Sequence, residues 1–188
     1  MIFKLRFDRF NFMEFELSPS EIEAKLGDIF ILDNTNTWSD FWKPINGSFF
    51  DDSDKQNIIA LPDIALWSTD EIVCNEKAYN ILKNTLAPYG EWLPVSIEGV
   101  SYWLLHVTQK TGIEFVDVKN SIRTIDIVDH IEIEKLLFNE NMLNEMLIFK
   151  TQYNNYNNIY CLDKFKILVE ENDLQGLIFS KDMTNSPY

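Results

Sequence analysis

His106 and His130 are the only two imidazoles in the chain, and imidazole is the side chain best suited to acid–base or metal chemistry near neutral pH. His106 lies inside the apolar run Trp103-Leu104-Leu105-His106-Val107. There a histidine reads most simply as a strand residue with its hydrogen bonds met locally. His130 follows Asp129 and precedes Glu132, but a metal site needs several converging ligands with supporting partners. Cys74 stands before a helix N-terminus, a place that can lower a thiol pKa. Cys161 has no such setting, and buried structural thiols are the alternative for both. The chain contains no G-x-S-x-G, no phosphate-cradling glycine loop and no H-E-x-x-H. Adjacent acids such as Asp51-Asp52 and Asp70-Glu71 say little in a chain with 30 acidic residues. A carboxylate pair becomes catalytic only where a pocket drives its two pKa values apart. No catalytic set, metal or cofactor is expected from these residues.

Two stretches have the chemistry of contact surfaces. The first holds Trp38 and Trp42 beside Asp51, Asp52 and Asp54, and aromatics within an acidic surround suit a basic partner. The alternative is a loop folded onto the core by its own aromatics. The second is Tyr153 and Tyr156 among asparagines, residues that adapt well in binding loops. Its alternative is a plain polar connector.

The formal charge of −14, from 16 basic against 30 acidic residues, disfavours a nucleic-acid backbone or an anionic membrane as partner. It would steer a cationic protein, although acidity also serves solubility alone. Hydrophobic residues make up 46% of the chain, enough for a real core. The N-terminus alternates apolar and basic residues, unlike a signal peptide, and no apolar run suits a membrane span. With its sparse cysteines, the chain is expected to be cytoplasmic.

Strand periodicity runs through Phe3, Leu5 and Phe7, then Met13, Phe15 and Leu17. Ser20 with Glu23 fits a capping box, predicting a helix over 21–26, followed by a strand over 29–32. Residues 33–56 read as a long aromatic-acidic excursion, and 58–61 as a strand ending at Pro62. Asn75 caps a helix over 76–86 with Ala78, Ile81, Leu82 and Leu86 inward. Glu98-Gly99 predicts a hairpin of 92–97 with 100–108, whose second strand is apolar on both faces and therefore central. Further strands are expected near 113–118, 123–133, 147–149 and 177–179. Helices are expected over 132–146 and 162–171. The pattern predicts an α+β fold, mainly an antiparallel sheet with a few packed helices. Residues 1–57 form an N-terminal elaboration, compact with a main unit over 58–182.

Short landmarks recur through that main unit: Pro62-Asp63-Ile64 with Leu66-Trp67, Gly90-Glu91 with Leu93-Pro94, and Tyr102-Trp103-Leu104-Leu105-His106-Val107-Thr108. Ile148-Phe149-Lys150, Ile159-Tyr160 with Leu162-Asp163, and Gly176-Leu177 with Phe179 follow. In order and spacing they resemble polymorphic-toxin immunity protein family eleven of bacteria. The resemblance implies a non-enzymatic antidote that binds a cognate toxin, one with a basic surface, and occludes its active site. Position 106 holds His where that family more often has Asn, which leaves room for a local role of His106. The competing expectation is an enzyme or small-ligand binder with a pocket around His106, and a third is an adaptor without a toxin. A homodimer is left open but not indicated.

Overall fold

A computed structural model of the chain describes residues 1–27, 32, 37–51, 60–127 and 130–185. In chain order the elements are β1 (Ile2–Phe7), β2 (Glu14–Leu17), α1 (Pro19–Leu26), β3 (Ile45–Phe50), β4 (Ile64–Trp67), β5 (Glu71–Cys74) and α2 (Glu76–Leu86). Then come β6 (Gly90–Ile97), β7 (Val100–Val107), β8 (Lys110–Thr111), β9 (Ile122–Ile125), β10 (Ile131–Lys135), β11 (Ile148–Thr151), β12 (Tyr160–Leu162), α3 (Asp163–Glu171) and β13 (Leu177–Ser180).

Two larger sheets carry the fold. A six-stranded sheet runs β2-β3-β6-β7-β5-β4, and a five-stranded sheet runs β13-β1-β12-β11-β8. All pairings are antiparallel except β3 with β6 and β8 with β11. The fold is α+β with mainly antiparallel sheets. Strand β7 is central, between β6 and β5, as its two-faced apolarity requires. The β6–β7 turn places Glu98 at φ 50° and Gly99 at φ 81°, the two left-handed residues whose twist matches a tight hairpin.

The two faces of each strand feed different cores. Leu105 and Val107 of β7 pack with Ile72, Leu82, Ile148 and Phe165 between the two sheets and helices α2 and α3. Leu104 faces the other way, towards Phe15, Ile22, Trp38 and Val95. A third cluster, with Ile133, Leu143, Phe149 and Tyr160, lies against the far side of the five-stranded sheet. Helix α2 begins where its cap dictates: Asn75 Oδ1 accepts from the Ala78 amide at 2.9 Å. Asp63 holds that cap in place, accepting from Asn75 Nδ2 at 2.8 Å, Lys77 Nζ at 3.1 Å and the Gln175 amide at 3.0 Å. Strand pairing crosses residue 57 freely, because β1 sits between β12 and β13 and β3 pairs with β6.

Several expectations change. Residues 132–146 do not form a helix: β10 pairs with β9, and a single 3-10 turn follows at Glu140–Met142. The helical propensity of the charged residues there yields to burial of Ile133 in the third core. Ile113–Phe115 is a 3-10 turn rather than a strand. Helix α1 starts earlier than a Ser20 cap would have it, with Ser18 at the cap position and Pro19 just inside. The excursion contains β3, whose residues pair with β2 on one side. The strand expected at 29–32 lies almost wholly outside the described residues, as do residues 58 and 59 of the next one; Ala60 makes a bridge to Phe12.

Candidate functional site

His106 is the centre of a buried polar network built by four strands and the excursion. It is 0% exposed. Its register neighbours are Glu71 on β5 and Glu91 on β6. The imidazole Nδ1 meets Glu71 Oε1 at 2.9 Å, and Glu71 Oε2 accepts from the Val107 amide at 3.1 Å. Lys150, also fully buried, reaches across from β11 in the other sheet. Its ammonium lies 2.9 Å from Glu71 Oε1 and 3.4 Å from Asp70 Oδ2. Burial pushes the Glu71 carboxyl above its ordinary value, and the contacts with His106 and Lys150 work against that rise. The Trp38 ring stacks on the imidazole with centroids 3.8 Å apart. Glu91 fixes that roof, accepting from the Trp38 amide at 2.7 Å and the Ser39 hydroxyl at 2.5 Å. Every polar end is answered from within the protein, and His106 lines neither the hollow beside Lys4 nor the one beside Ile125. The arrangement suits cross-linking of two sheets, since an ionic contact so deep must be matched in geometry to be tolerated.

The residues expected at contact surfaces are divided. Trp38 is buried, and Trp42 is half-buried, parallel to it, with Nε1 donating to the Pro94 carbonyl at 2.9 Å. Asp51 is exposed, while Asp52 and Asp54 lie outside the described residues. Tyr153 is buried under the Arg123 guanidinium, 4.4 Å from its ring centroid, and Arg123 also donates to the Tyr153 carbonyl. Tyr156 is half-buried with Lys110 over its ring at 5.1 Å. Trp38 and Tyr153 are therefore core anchors, because their rings find better partners inside than in water. His130 is exposed and does not join His106; its amide donates to Asp126 Oδ1 at 2.9 Å. Both thiols are buried, and burial raises their pKa values. That removes the nucleophile reading of Cys74. Among the described residues no group of three or more His, Cys, Asp or Glu side chains could hold a metal ion, and no helix is long and apolar enough to cross a membrane.

An unexpected surface stands out on the β9–β10 hairpin, a two-stranded sheet of its own. Ile122 is 50% exposed, Ile125 53% and Ile127 101%. Ile125 also lines a hollow of about 470 Å³ with Ile113, Arg123, Ile131, Gln152 and Asn155. Asp126, Glu132 and Glu134 are exposed on the same hairpin. By register Ile125 shares a face with Ile131 and Arg123, while Glu132 lies on the other face with Thr124; exposed isoleucines with carboxylates on the same hairpin suit a contact surface. The signal in the sequence is the repeat of Ile at 122, 125 and 127 among polar residues, which alternation alone cannot assign to core or surface. No protein-family model matches the chain, and no curated protein matches it.

Proposed function

We propose that this chain is a non-catalytic immunity protein that binds a cognate bacterial toxin and occludes its active site. The observation that carries the reading is the set of exposed isoleucines on the β9–β10 hairpin, Ile122, Ile125 and Ile127, together with the exposed carboxylates of the same hairpin. A net charge of −14 favours a partner with a basic surface, and the ordered landmarks over 58–182 agree with an immunity protein. Desolvated isoleucines supply the affinity, while the carboxylates steer and orient a cationic groove. The competing chemistry at His106 is opposed by its complete burial within the Glu71–Lys150 network.

Co-expression with the product of the neighbouring gene tests the proposal. The chain is expected to co-purify with that product and to restore growth. Ile125→Asp combined with Ile127→Asp should weaken the complex by at least about tenfold, the scale of losing contact residues, while the melting temperature stays unchanged. Cells that carry the intact chain and remain fully sensitive would refute the function. Full protection by the double variant would refute the hairpin as the contact face.

A further inference from the structure

Where the three sheets converge lies a second hollow, an open cavity of about 530 Å³, within the size range of small-molecule sites. Its walls come from β1, the β4–β5 turn, the loop between β11 and β12, the start of β10 and Asn185. Three cations line it in a chain that is strongly acidic as a whole. Lys4 and Arg6 enter from alternate positions of β1, and Arg9 follows just beyond. The two acids of the wall already have cationic neighbours: Glu14 lies 3.4 Å from Arg9 Nε, and Asp70 lies 3.4 Å from Lys150 Nζ. The Lys4 ammonium donates to the Thr184 carbonyl at 2.8 Å. That neutral oxygen orients the ammonium without cancelling its charge. Arg6 Nη2 donates to the Thr184 and Asp182 carbonyls at 3.1 and 3.2 Å, with the Asp182 carboxylate 3.7 Å away. Burial, with the Arg6 charge beside it, brings the Lys4 pKa down to about 8, against the pull of Asp182. An anion delivered here would relieve both effects.

The second observation is an amide. Asn154 lines the cavity and is 3% exposed. Its Nδ2 donates to the Tyr160 hydroxyl at 3.1 Å, and its Oδ1 has no hydrogen-bond partner. Buried polar atoms are rarely left unmet. Whichever way the amide is turned, Tyr160 answers one end and the other is left unmet beside the cavity. A hydroxyl can satisfy either end, because it both donates and accepts.

From these two observations we infer that the cavity binds a small hydroxylated anion, its charged group between Lys4 and Arg6 and a hydroxyl on Asn154. This site is independent of the toxin reading, and each can fail without the other. Glycerol 3-phosphate and gluconate are suitable probes, with glycerol, inorganic phosphate and sodium chloride of equal ionic strength as controls. At about ten times its Kd, at least one of the two hydroxylated anions is expected to raise the melting temperature by about 3–5 °C, and inorganic phosphate by less. Arg6→Met and Asn154→Leu should each weaken that anion by about tenfold or more. Amide chemical-shift mapping on the unaltered chain tests the site even if a variant does not fold: changes centred on Lys4, Arg6 and Asn154 support it. Neither anion exceeding sodium chloride would overturn the inference. So would a phosphate effect equal to that of both probes, a shift that survives both substitutions, or perturbations centred elsewhere.

Discussion

Lys150→Met is the sharpest probe of how the two sheets are joined. Methionine keeps the length of the side chain and deletes the ammonium that lies 2.9 Å from Glu71 Oε1. Glu71 is then left fully buried against His106 Nδ1 and the Val107 amide. Removing one partner of a buried ion pair costs about 3–5 kcal/mol, because the other charge stays desolvated. In a chain of 188 residues, each kcal/mol lowers the melting temperature by about 2–4 °C, so a fall of about 6–20 °C is expected. Glu71 can escape part of the penalty by taking up a proton. Its carboxyl already titrates above the ordinary 4.5, and the loss of Lys150 raises it further. A raised carboxyl binds its proton more tightly in the folded state. Stability therefore declines as the pH climbs from 4.5 towards the folded value, and the deficit of the variant should be smaller at about pH 5 than at about pH 8. Replacing both partners, as Glu71→Gln with Lys150→Met, should recover about 2 kcal/mol of the loss, since it removes the stranded charge. Urea unfolding followed by tryptophan fluorescence at both pH values measures all of this. A single-variant cost below about 1 kcal/mol, a pH-independent deficit, or a double variant as unstable as the sum of its parts would refute the reasoning.

Three more outcomes are expected. Asp63→Ala should cost about 2 kcal/mol in urea unfolding by loosening the α2 cap. Burial opposes the Asp63 charge, but the bonds from Asn75, Lys77 and Gln175 outweigh it and hold the carboxyl below its ordinary 3.8. The stabilisation is then present above 3.8 and lost as the pH falls through the depressed value, so the two proteins should converge in acid. Gly176→Ala should cost more than about 3 kcal/mol or abolish soluble expression, because Gly176 has φ 118° and a Cβ would lie 2.1 Å from the Ile64 carbonyl oxygen. Cys74 and Cys161 should resist a disulfide-exchange reagent in the folded protein and both react in urea, as read by thiol titration.

Local signals were enough where the element is decided locally. Asn75 and the stripe Ala78, Leu82 and Leu86 specify α2, and Glu98-Gly99 specifies the β6–β7 hairpin. Strand β3 was hidden because Gly47 and Ser48 interrupt its apolar pattern. Its existence depends on β2 and β6 lying on either side. The strand expected near 123–133 covers β9 and the start of β10; the end of β10 is hidden because Glu132, Glu134 and Lys135 favour a helix until β9 pairs with them. The Glu71–Lys150 contact spans 79 residues, and no window of sequence links a strand-start glutamate to a lysine so distant. The same is true of the cavity, whose Lys4 and Arg6 come from β1 and whose buried amide comes from the loop after β11.

Strand β1 takes its place between β12 and β13, bonded to residues 160–162 on one edge and 177–180 on the other. Strand β1 is therefore made well before either neighbour and stays without them until β12 and β13 have been synthesised. The five-stranded sheet closes only after β13 has been made, a long-range step that is slow by nature. Until then Phe3 and Leu5 stay open to holdase chaperones, and any message cut short before β13 yields a chain that cannot seal its main core.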